Sequence, residues 1–167
     1  MEPLVQKNKV VEKKIFQFPY EVFSSSSELN EGDRNLLATA QNATKISYAP
    51  YSLFKVGAAA LLINGEIITG GNQENASFPA GLCAEGVVLA VAATRFPGMA
   101  IDTMAISYSS ENHVADHPIA PCGICRQSMQ EFKNRTGKPI RLIMGGKEGE
   151  VIIIPDASYL LPFEFKF

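Results

Sequence analysis

The chain has 167 residues, of which 46% are hydrophobic and 19% are charged. This length suits one domain with a sizeable core and is too short for two. Fifteen basic and seventeen acidic side chains give a formal charge of −2, which excludes the strongly basic surface typical of proteins that bind nucleic acids or anionic membranes. We therefore expect a small neutral substrate, no nucleic acid and no membrane among the partners.

No targeting signal is recognisable in the sequence. Residues 1–7 lack the apolar core of a secretory signal, and no apolar run approaches the length of a membrane span. We expect a cytoplasmic protein, in which thiols are kept reduced and are free to bind metal.

The first predicted elements are a short strand and an amphipathic helix. Residues 10–18 alternate weakly between apolar and polar side chains, which predicts the strand. From about residue 30 to residue 47, apolar side chains recur on one helical face, and the pattern stops before Pro50. These apolar side chains are Leu36, Leu37, Ala40, Ala43 and Ile46.

A β-hairpin and a second helix follow. Residues 54–63 are almost continuously apolar, Asn64-Gly65 is a strong turn signal, and residues 66–69 resume strand character. The next helix is predicted from about Cys83 to Arg95. Its interior is apolar all round, so we expect it to lie buried in the centre of the domain.

The remainder of the chain alternates between strands and a helix. Strands are predicted at residues 104–108, 140–144 and 151–154, with a helix from Cys122 to about Arg135. This order predicts an α/β fold, a three-layer α/β/α domain with a mixed sheet of about five strands and helices on both faces.

The C-terminal tail is aromatic. Phe163, Phe165 and Phe167 alternate with charged residues, and three exposed phenyl rings are costly to leave in water. We expect the tail to pack on the core or on another subunit.

The chemistry centres on three cysteines, Cys83, Cys122 and Cys125, which are all the cysteines in the chain. A Cys-x-x-Cys pair with a distant third Cys is a metal-binding layout, and Zn²⁺ is the metal that it favours. Three thiolates leave one coordination position for water, as in catalytic zinc sites. Cys122 and Cys125 also lie on the same face of a first helical turn.

Two other interpretations of the cysteines stay open. In the first, the thiols are inert buried side chains, or two of them form a redox pair and the third cysteine has no partner. Alternatively, His113 or His117 supplies a fourth ligand and makes a structural Cys3His site.

Glu85 follows Cys83 by two residues and is a candidate proton carrier. At the mouth of a buried helix, desolvation raises the pKa of a carboxyl group towards values useful for proton transfer. Side chains two residues apart in mid-helix point to nearly opposite sides, so the helix must begin within a residue or two of Cys83. The alternative is an exposed first-turn glutamate that the helix dipole favours.

Four motifs together closely resemble the cytidine deaminases. They are Cys-Ala-Glu at 83–85, Pro-Cys-Gly-Ile-Cys-Arg-Gln at 121–127, Phe-Lys-Val-Gly-Ala at 54–58 and Asn-Gln-Glu-Asn at 72–75. The resemblance covers about residues 30–165, so residues 28–167 are interpreted as the catalytic domain and residues 1–27 as an N-terminal extension.

The resemblance implies a Zn²⁺-dependent aminohydrolase of pyrimidine salvage with an α/β/α fold. Such an enzyme converts cytidine and deoxycytidine to uridine and deoxyuridine, releases ammonia, and is usually a homo-oligomer, a tetramer or a dimer. By the same resemblance, Cys83, Cys122 and Cys125 hold the zinc. Glu85 then takes a proton from water and delivers it to the ring N3 and the departing amine.

The resemblance also implies a substrate site. Asn72 and Glu74 hold the sugar hydroxyls, Phe54 lines the base pocket, Ala84 belongs to the same site, and Phe165 closes it, from a neighbouring subunit in one arrangement. Turn chemistry after a strand is the alternative interpretation of Asn72 and Glu74. Because a carboxylate accepts hydrogen bonds from hydroxyls and repels phosphate, Glu74 favours free nucleosides over nucleotides.

One residue departs from the family pattern. The cytidine deaminases usually have an arginine directly after Cys-Ala-Glu, where its charge offsets the thiolates, and here the residue is Gly86. Three thiolates on Zn²⁺ leave one net negative charge, so we expect a zinc enzyme that is slow at neutral pH unless Arg126, Arg95 or Lys55 compensates.

Two rival functions remain. A deaminase of the blasticidin S type shares the zinc motifs and can lack that arginine. A catalytically inactive scaffold that binds zinc or a nucleoside is the second rival, with Gly86 as a sign of lost activity.

Overall fold

The structure is a computed structural model that describes residues 11–166. Within these residues, six strands form one sheet in the spatial order β1-β6-β5-β4-β2-β3. Neighbouring strands are antiparallel except for the parallel pair β4 and β5. The strands are β1 (Glu21–Phe23), β2 (Phe54–Leu62), β3 (Ile67–Gly71), β4 (Ile101–Ser110), β5 (Arg141–Gly145) and β6 (Val151–Ile154).

Three α-helices cover the sheet. They are α1 (Glu31–Ala43), α2 (Ala84–Arg95) and α3 (Gly123–Thr136). One core cluster combines apolar side chains of α1 with one face of the sheet, and a second combines α2 and α3 with the other face. The three-layer α/β/α prediction is therefore confirmed.

The sheet has six strands where about five were predicted, and the additional strand is β1. The short strand predicted at residues 10–18 is wrong for its described part, because residues 11–18 form no strand and pairing begins at Glu21. Residue 10 lies outside the described residues. Strand β1 lies within the predicted N-terminal extension and pairs with β6, while the division of the chain at residue 28 stays a prediction.

Alternation along β2 assigns its side chains to the two faces of the sheet. Ala58 and Ala60 belong to the cluster with α2 and α3, whereas Ala59 belongs to the cluster with α1. Because successive side chains of a strand point to opposite faces, Phe54 lies on the α2 and α3 face and Lys55 lies on the α1 face.

Two predicted burial patterns are wrong. Helix α1 ends at Ala43, so Ile46 falls in a following single 3₁₀ turn and is 59% exposed instead of continuing the buried stripe. Helix α2 is buried along one side only, because it lies on the surface of the sheet, and Ala90 on its outer side is exposed.

The aromatic tail does not pack on the core of its own chain. Phe163 is 93% exposed and Phe165 is 68% exposed, while Phe167 lies outside the described residues. The other expectation, packing on a second subunit, stays a prediction. None of the helices in the described part of the chain combines the length and apolar character that crossing a bilayer requires.

Candidate metal and substrate site

The three cysteines lie at the starts of α2 and α3. Cys83 is the N-cap residue of α2, and Cys122 is the N-cap residue of α3, with Cys125 in the first turn. Helix α2 thus begins where the sequence required it to begin. The unpaired N–H groups and the positive dipole ends of both helices favour deprotonated thiols at this point.

The sulfur positions fit a zinc ion. The Cys83 Sγ atom lies 3.6 Å from Cys122 Sγ, which lies 3.5 Å from Cys125 Sγ, and all three atoms fall within 4.8 Å of one another. Ligands at about 2.3 Å from a tetrahedral Zn²⁺ are about 3.8 Å apart. The thiols are therefore spaced as three corners of a zinc tetrahedron.

Contacts among the thiols favour the thiolate form of Cys83. Hydrogen bonding from the Cys125 thiol, with a further contribution from Cys122, lowers the pKa of Cys83 to about 6, against the effect of burial. The pKa of Cys125 is raised, because its proton is held by Cys83 and its side chain is buried. Zinc binding removes the protons of coordinating thiols.

Glu85 lies in the first turn of α2 and is buried, with 4% of its surface exposed. Burial raises the pKa of its carboxyl group above the ordinary value, which outweighs the lowering effect of hydrogen bonds from its own backbone and from Cys125. The alternative interpretation as an exposed first-turn glutamate is therefore wrong.

A cleft of about 550 Å³ opens onto Glu85 and two of the thiols. Phe54, Asn72, Glu74 and Cys122 line it, so most of the residues predicted from sequence are brought together. The other lining residues are Tyr51, Val56, Gln73, Asn75, Phe78, Gly81, Leu82, Cys83, Ile119, Ala120 and Ile124.

Asn72 holds the start of strand β2 by its side-chain amide. Its Oδ1 accepts a hydrogen bond from Val56 N at 2.8 Å, and its Nδ2 donates to Phe54 O at 3.0 Å. These bonds engage both ends of the amide and fix the backbone on either side of Lys55, directly after Phe54. Asn72 thus has a structural role in the wall of the cleft.

Glu74 organises the turn before β2. Its Oε2 atom accepts hydrogen bonds from Tyr51 N at 2.9 Å and from Ser52 N at 3.2 Å. Hydrogen bonding from Ser52, together with the backbone bonds, lowers the pKa of Glu74, so the carboxylate stays ionised. In the same turn Leu53 has a positive φ of 57°, which is uncommon for a residue with a bulky side chain and stores backbone strain next to Phe54.

Two residues predicted in the substrate site lie elsewhere in this single chain. Ala84 has none of its surface exposed and belongs to the core cluster between the sheet and α2 and α3. Phe165 lies beside α3, where Gln127 Nε2 donates to its carbonyl oxygen at 2.8 Å and Gln127 Oε1 accepts from its N–H at 3.1 Å. Neither residue lines the cleft of its own chain.

The histidines do not join the thiols. The group of neighbouring ligand atoms found among residues 11–166 contains three cysteine sulfurs and no histidine. His117 instead contacts Asp116 Oδ1 at 2.9 Å and the Tyr108 hydroxyl at 3.2 Å. The Cys3His interpretation is therefore not supported.

Only one of the three suggested compensating cations is near the thiols. Arg95 is at the far end of α2, about 18 Å along the helix from Cys83, and Lys55 is on the opposite face of the sheet. Arg126 follows Cys125 directly in the first turn of α3. Its Nε donates to Pro121 O at 2.8 Å and its Nη1 to Leu160 O at 3.4 Å.

Sequence reasoning missed the apolar part of the cleft wall. Tyr51, Phe78, Leu82 and Ile124 are all more than half exposed. They lie in turns or directly before a cysteine, where no apolar period identifies them. Their closeness to the recognised motifs was the only available signal.

Three thiols and a buried carboxylate lie together at the starts of two helices. This arrangement is typical of the active site of a zinc-dependent hydrolase. Residues 30–137 match the family model described as the cytidine and deoxycytidylate deaminase zinc-binding region. The chain belongs to this family, and zinc is its cofactor.

Individual relatives agree with the family assignment. A cytidine deaminase of Halalkalibacterium halodurans is 36% identical over 130 residues, which are 78% of this chain and 91% of that protein. The crystal structure of cytidine deaminase from Burkholderia pseudomallei has a TM-score of 0.68 at 33% identity, covering 82% of this chain and all of that chain. A cytidine deaminase structure from Mycobacterium tuberculosis has a TM-score of 0.59 at 29% identity, covering 80% and 96%.

Proposed function

We propose that this chain catalyses the zinc-dependent hydrolytic deamination of cytidine and deoxycytidine to uridine and deoxyuridine, with release of ammonia. The observation that carries the proposal is the buried Glu85 carboxyl group beside three thiols spaced for zinc, in the wall of an open cleft.

The metal ligands and Glu85 have different roles in this reaction. Cys83, Cys122 and Cys125 would hold the zinc, which would supply a nucleophile from water near neutral pH. Glu85 would accept a proton from the attacking water and pass it to N3 of the cytosine ring. It would then take the proton of the new hydroxyl group at C4 and give it to the departing amine, which leaves as ammonia. Its raised pKa suits this exchange, because a carboxyl group that both accepts and donates protons works best with a pKa near the operating pH.

Phe54, Asn72, Glu74 and Ala84 form the substrate site in this proposal. The Phe54 ring lines the base pocket, and Ala84 is the fully buried residue between the metal ligand Cys83 and Glu85. Asn72 and Glu74 bind the sugar hydroxyls with the hydrogen-bond donor and acceptor positions that their bonds to the backbone do not use. An ionised carboxylate has several lone pairs, of which the two backbone N–H groups occupy only part.

The charge of the cleft favours a nucleoside over a nucleotide. Among the described residues that line it, none is Lys, Arg or His, while Glu74 and Glu85 are both acidic. A phosphate group here meets repulsion and no cationic partner. We therefore propose free nucleosides as substrates and exclude deoxycytidylate and polynucleotides from them.

The protein also acts as a homo-oligomer, a tetramer or a dimer, in this proposal. The support is the exposed apolar side chains of the cleft wall and the tail, because Phe78 and Ile124 are each 78% exposed and Phe163 is 93% exposed. Phe165 then closes the cleft of a neighbouring subunit. Sedimentation analysis should show a species larger than one chain, and a monomer at micromolar concentration contradicts this part.

The proposal also assigns a cellular role. An enzyme with reduced metal-binding thiols suits the cytoplasm, and its reaction suits pyrimidine salvage. Residues 28–167 form the catalytic domain in this proposal, and residues 1–27 are an extension that supplies strand β1.

Ammonia release tests the function directly. The zinc-loaded protein is incubated separately with cytidine, deoxycytidine, deoxycytidylate and blasticidin S, next to the Glu85→Ala variant with its zinc content measured. We expect turnover of both nucleosides by the wild type, and a zinc-loaded variant that is at least ~100-fold slower. Turnover of blasticidin S alone identifies the rival deaminase, and bound zinc with no turnover identifies an inactive scaffold.

A further inference from the structure

The wall of the cleft at Phe54 depends on a residue behind it. The half-buried Phe54 ring faces the cleft on one side and stacks on the Tyr108 ring on the other, with 5.0 Å between ring centroids and 19° between planes. Both side chains are on the same face of the sheet, where Val56 of β2 pairs with Tyr108 of β4. The position of the Phe54 ring is thus set by Tyr108.

Tyr108 is buried, with 2% of its surface exposed, and its hydroxyl group reaches the loop that follows β4. The hydroxyl oxygen lies 3.3 Å from Val114 O, to which it donates, and 3.2 Å from His117 Nδ1. The His117 ring meets the Tyr108 ring edge to face at 5.6 Å and is held by Asp116. Tyr108 therefore joins the cleft wall to residues 114–117.

The same loop is attached on its other side and leads to the metal site. Lys147 N and Glu148 N donate to Ala115 O at 2.7 and 3.1 Å. A Cβ atom at Gly149 would overlap the Asp116 carbonyl oxygen, so the turn between β5 and β6 supports the loop closely. Beyond this attachment, Ile119 and Ala120 line the cleft and Cys122 begins α3.

We propose that Tyr108 is a positioning residue for the base pocket. It does not line the cleft, and it acts through Phe54 by stacking and through the loop at residues 111–122 by its hydroxyl group. This inference rests on the proposed function, because the base pocket is the one assigned to cytidine. Stacking restricts where the Phe54 ring can move, so loss of the stack weakens nucleoside binding more than it slows the chemical step.

Two substitutions separate the contributions of the ring and of the hydroxyl group. Tyr108→Leu removes both, and Tyr108→Phe keeps the stack and removes the hydroxyl. We expect Tyr108→Leu to raise KM for cytidine about 2- to 10-fold with kcat changed less. Tyr108→Phe keeps the stack, so its KM should be close to that of wild type. Only the loop, which loses its bond to the hydroxyl group, should be affected.

Tyr159 offers a matched control. It is partly buried and packs in a ring contact with Phe18, away from the cleft. Tyr159→Leu removes a similar aromatic contact, so it should lower thermal stability without changing KM. Equal KM changes in Tyr159→Leu and Tyr108→Leu would show a general structural effect and overturn the proposal.

Amide hydrogen exchange provides a measurement that does not depend on turnover. In Tyr108→Phe, the amides of Lys147 and Glu148 should exchange faster than in wild type, because the loop that accepts their hydrogen bonds is less firmly held. Unchanged exchange at these amides, or an unchanged KM in a folded Tyr108→Leu variant, overturns the positioning role. If wild type deaminates no nucleoside, the proposed function fails, and the exchange result still decides the coupling of Tyr108 to the loop.

Discussion

An arginine in place of Gly86 would put a positive charge next to the three thiols. Gly86 is the third residue of α2, and Cys83 is the N-cap of the same helix. Side chains three positions apart on a helix are neighbours, with about 5–6 Å between Cβ atoms. A Cβ atom at Gly86 would meet no heavy atom within 4 Å, so the larger side chain has room.

The size of the effect follows from Coulomb's law. A Zn²⁺ ion with three thiolates carries one net negative charge, and a guanidinium about 6 Å away at an effective dielectric constant of about 20 stabilises it by about 3 kcal/mol. Because Gly86 is partly exposed, screening by solvent reduces this to about 1–2 kcal/mol, or about one pK unit. The cation favours loss of a proton from the nucleophilic water, so activity should extend to lower pH.

The assay is the pH dependence of kcat/KM for cytidine in wild type, Gly86→Arg and Gly86→Gln. We expect the acidic limb to move down by about one pH unit in the arginine variant only. Both variants should unfold at higher temperature, since glycine is the weakest helix former after proline. Glu131 borders the same groove between α2 and α3, so the arginine variant is also measured with Glu131→Gln to exclude neutralisation by that carboxylate.

Two outcomes would refute the charge argument. An equal shift in the glutamine variant would mean that size, and not charge, alters the site. An arginine variant with unchanged or lower activity, in both the presence and the absence of Glu131, would mean that the thiolate charge is already compensated. Arg126 is then the residue to examine, because it lies nearest to the thiols along the chain.

Three further predictions concern stability and metal binding. Gly57→Ala should lower the free energy of unfolding by about 1–3 kcal/mol in thermal unfolding, because the new methyl group overlaps the backbone of α1; unchanged stability would contradict this packing. Hydrogen bonds from Arg141 hold the pKa of Asp33 below 3.8 in the folded state, so this pair stabilises the protein above about pH 4 and the stability is lost as the pH falls through the lowered pKa. The melting temperature of wild type should accordingly fall more steeply below pH 4 than that of Asp33→Asn, and parallel curves would refute this. Cys122→Ser should reduce zinc from about one ion per chain to nearly none by elemental analysis, whereas retained zinc would exclude Cys122 as a ligand.

Features that depend on neighbouring residues were predictable from the sequence. The start of α2 at Ala84 follows from the need of Cys83 and Glu85 to face one site, and the helix from Gly123 follows from the spacing of Cys122 and Cys125. Strand β6 matches its predicted range because its apolar run is bounded by turn residues. Local sequence determines helix starts and turns strongly, so these predictions needed no knowledge of the tertiary structure.

Features that depend on distant contacts were not predictable. Strand β1 has three residues and exists because β6 offers it a partner, 128 to 132 residues further along the chain. Ala90 is apolar but exposed, because a helix on the surface of a sheet hides only one side. The bonds of Asn72 and Glu74 to the backbone around Phe54 join segments about 20 residues apart, and no spacing rule reveals them.

The direction of the strands explains why the motifs meet. Strand β2 is antiparallel to both β3 and β4, so β3 and β4 run the same way and end at one edge of the sheet. Each is followed by a connection and then by a helix that begins at that edge, which brings Cys83 and Cys122 together although 38 residues separate them. Because β2 runs the opposite way, its first residue, Phe54, lies at this edge as well and pairs with the end of β4 at Ser110. The metal ligands, the proton carrier and the wall of the base pocket thus come from one edge of the sheet, where binding sites of α/β folds commonly form outside the carboxyl ends of strands.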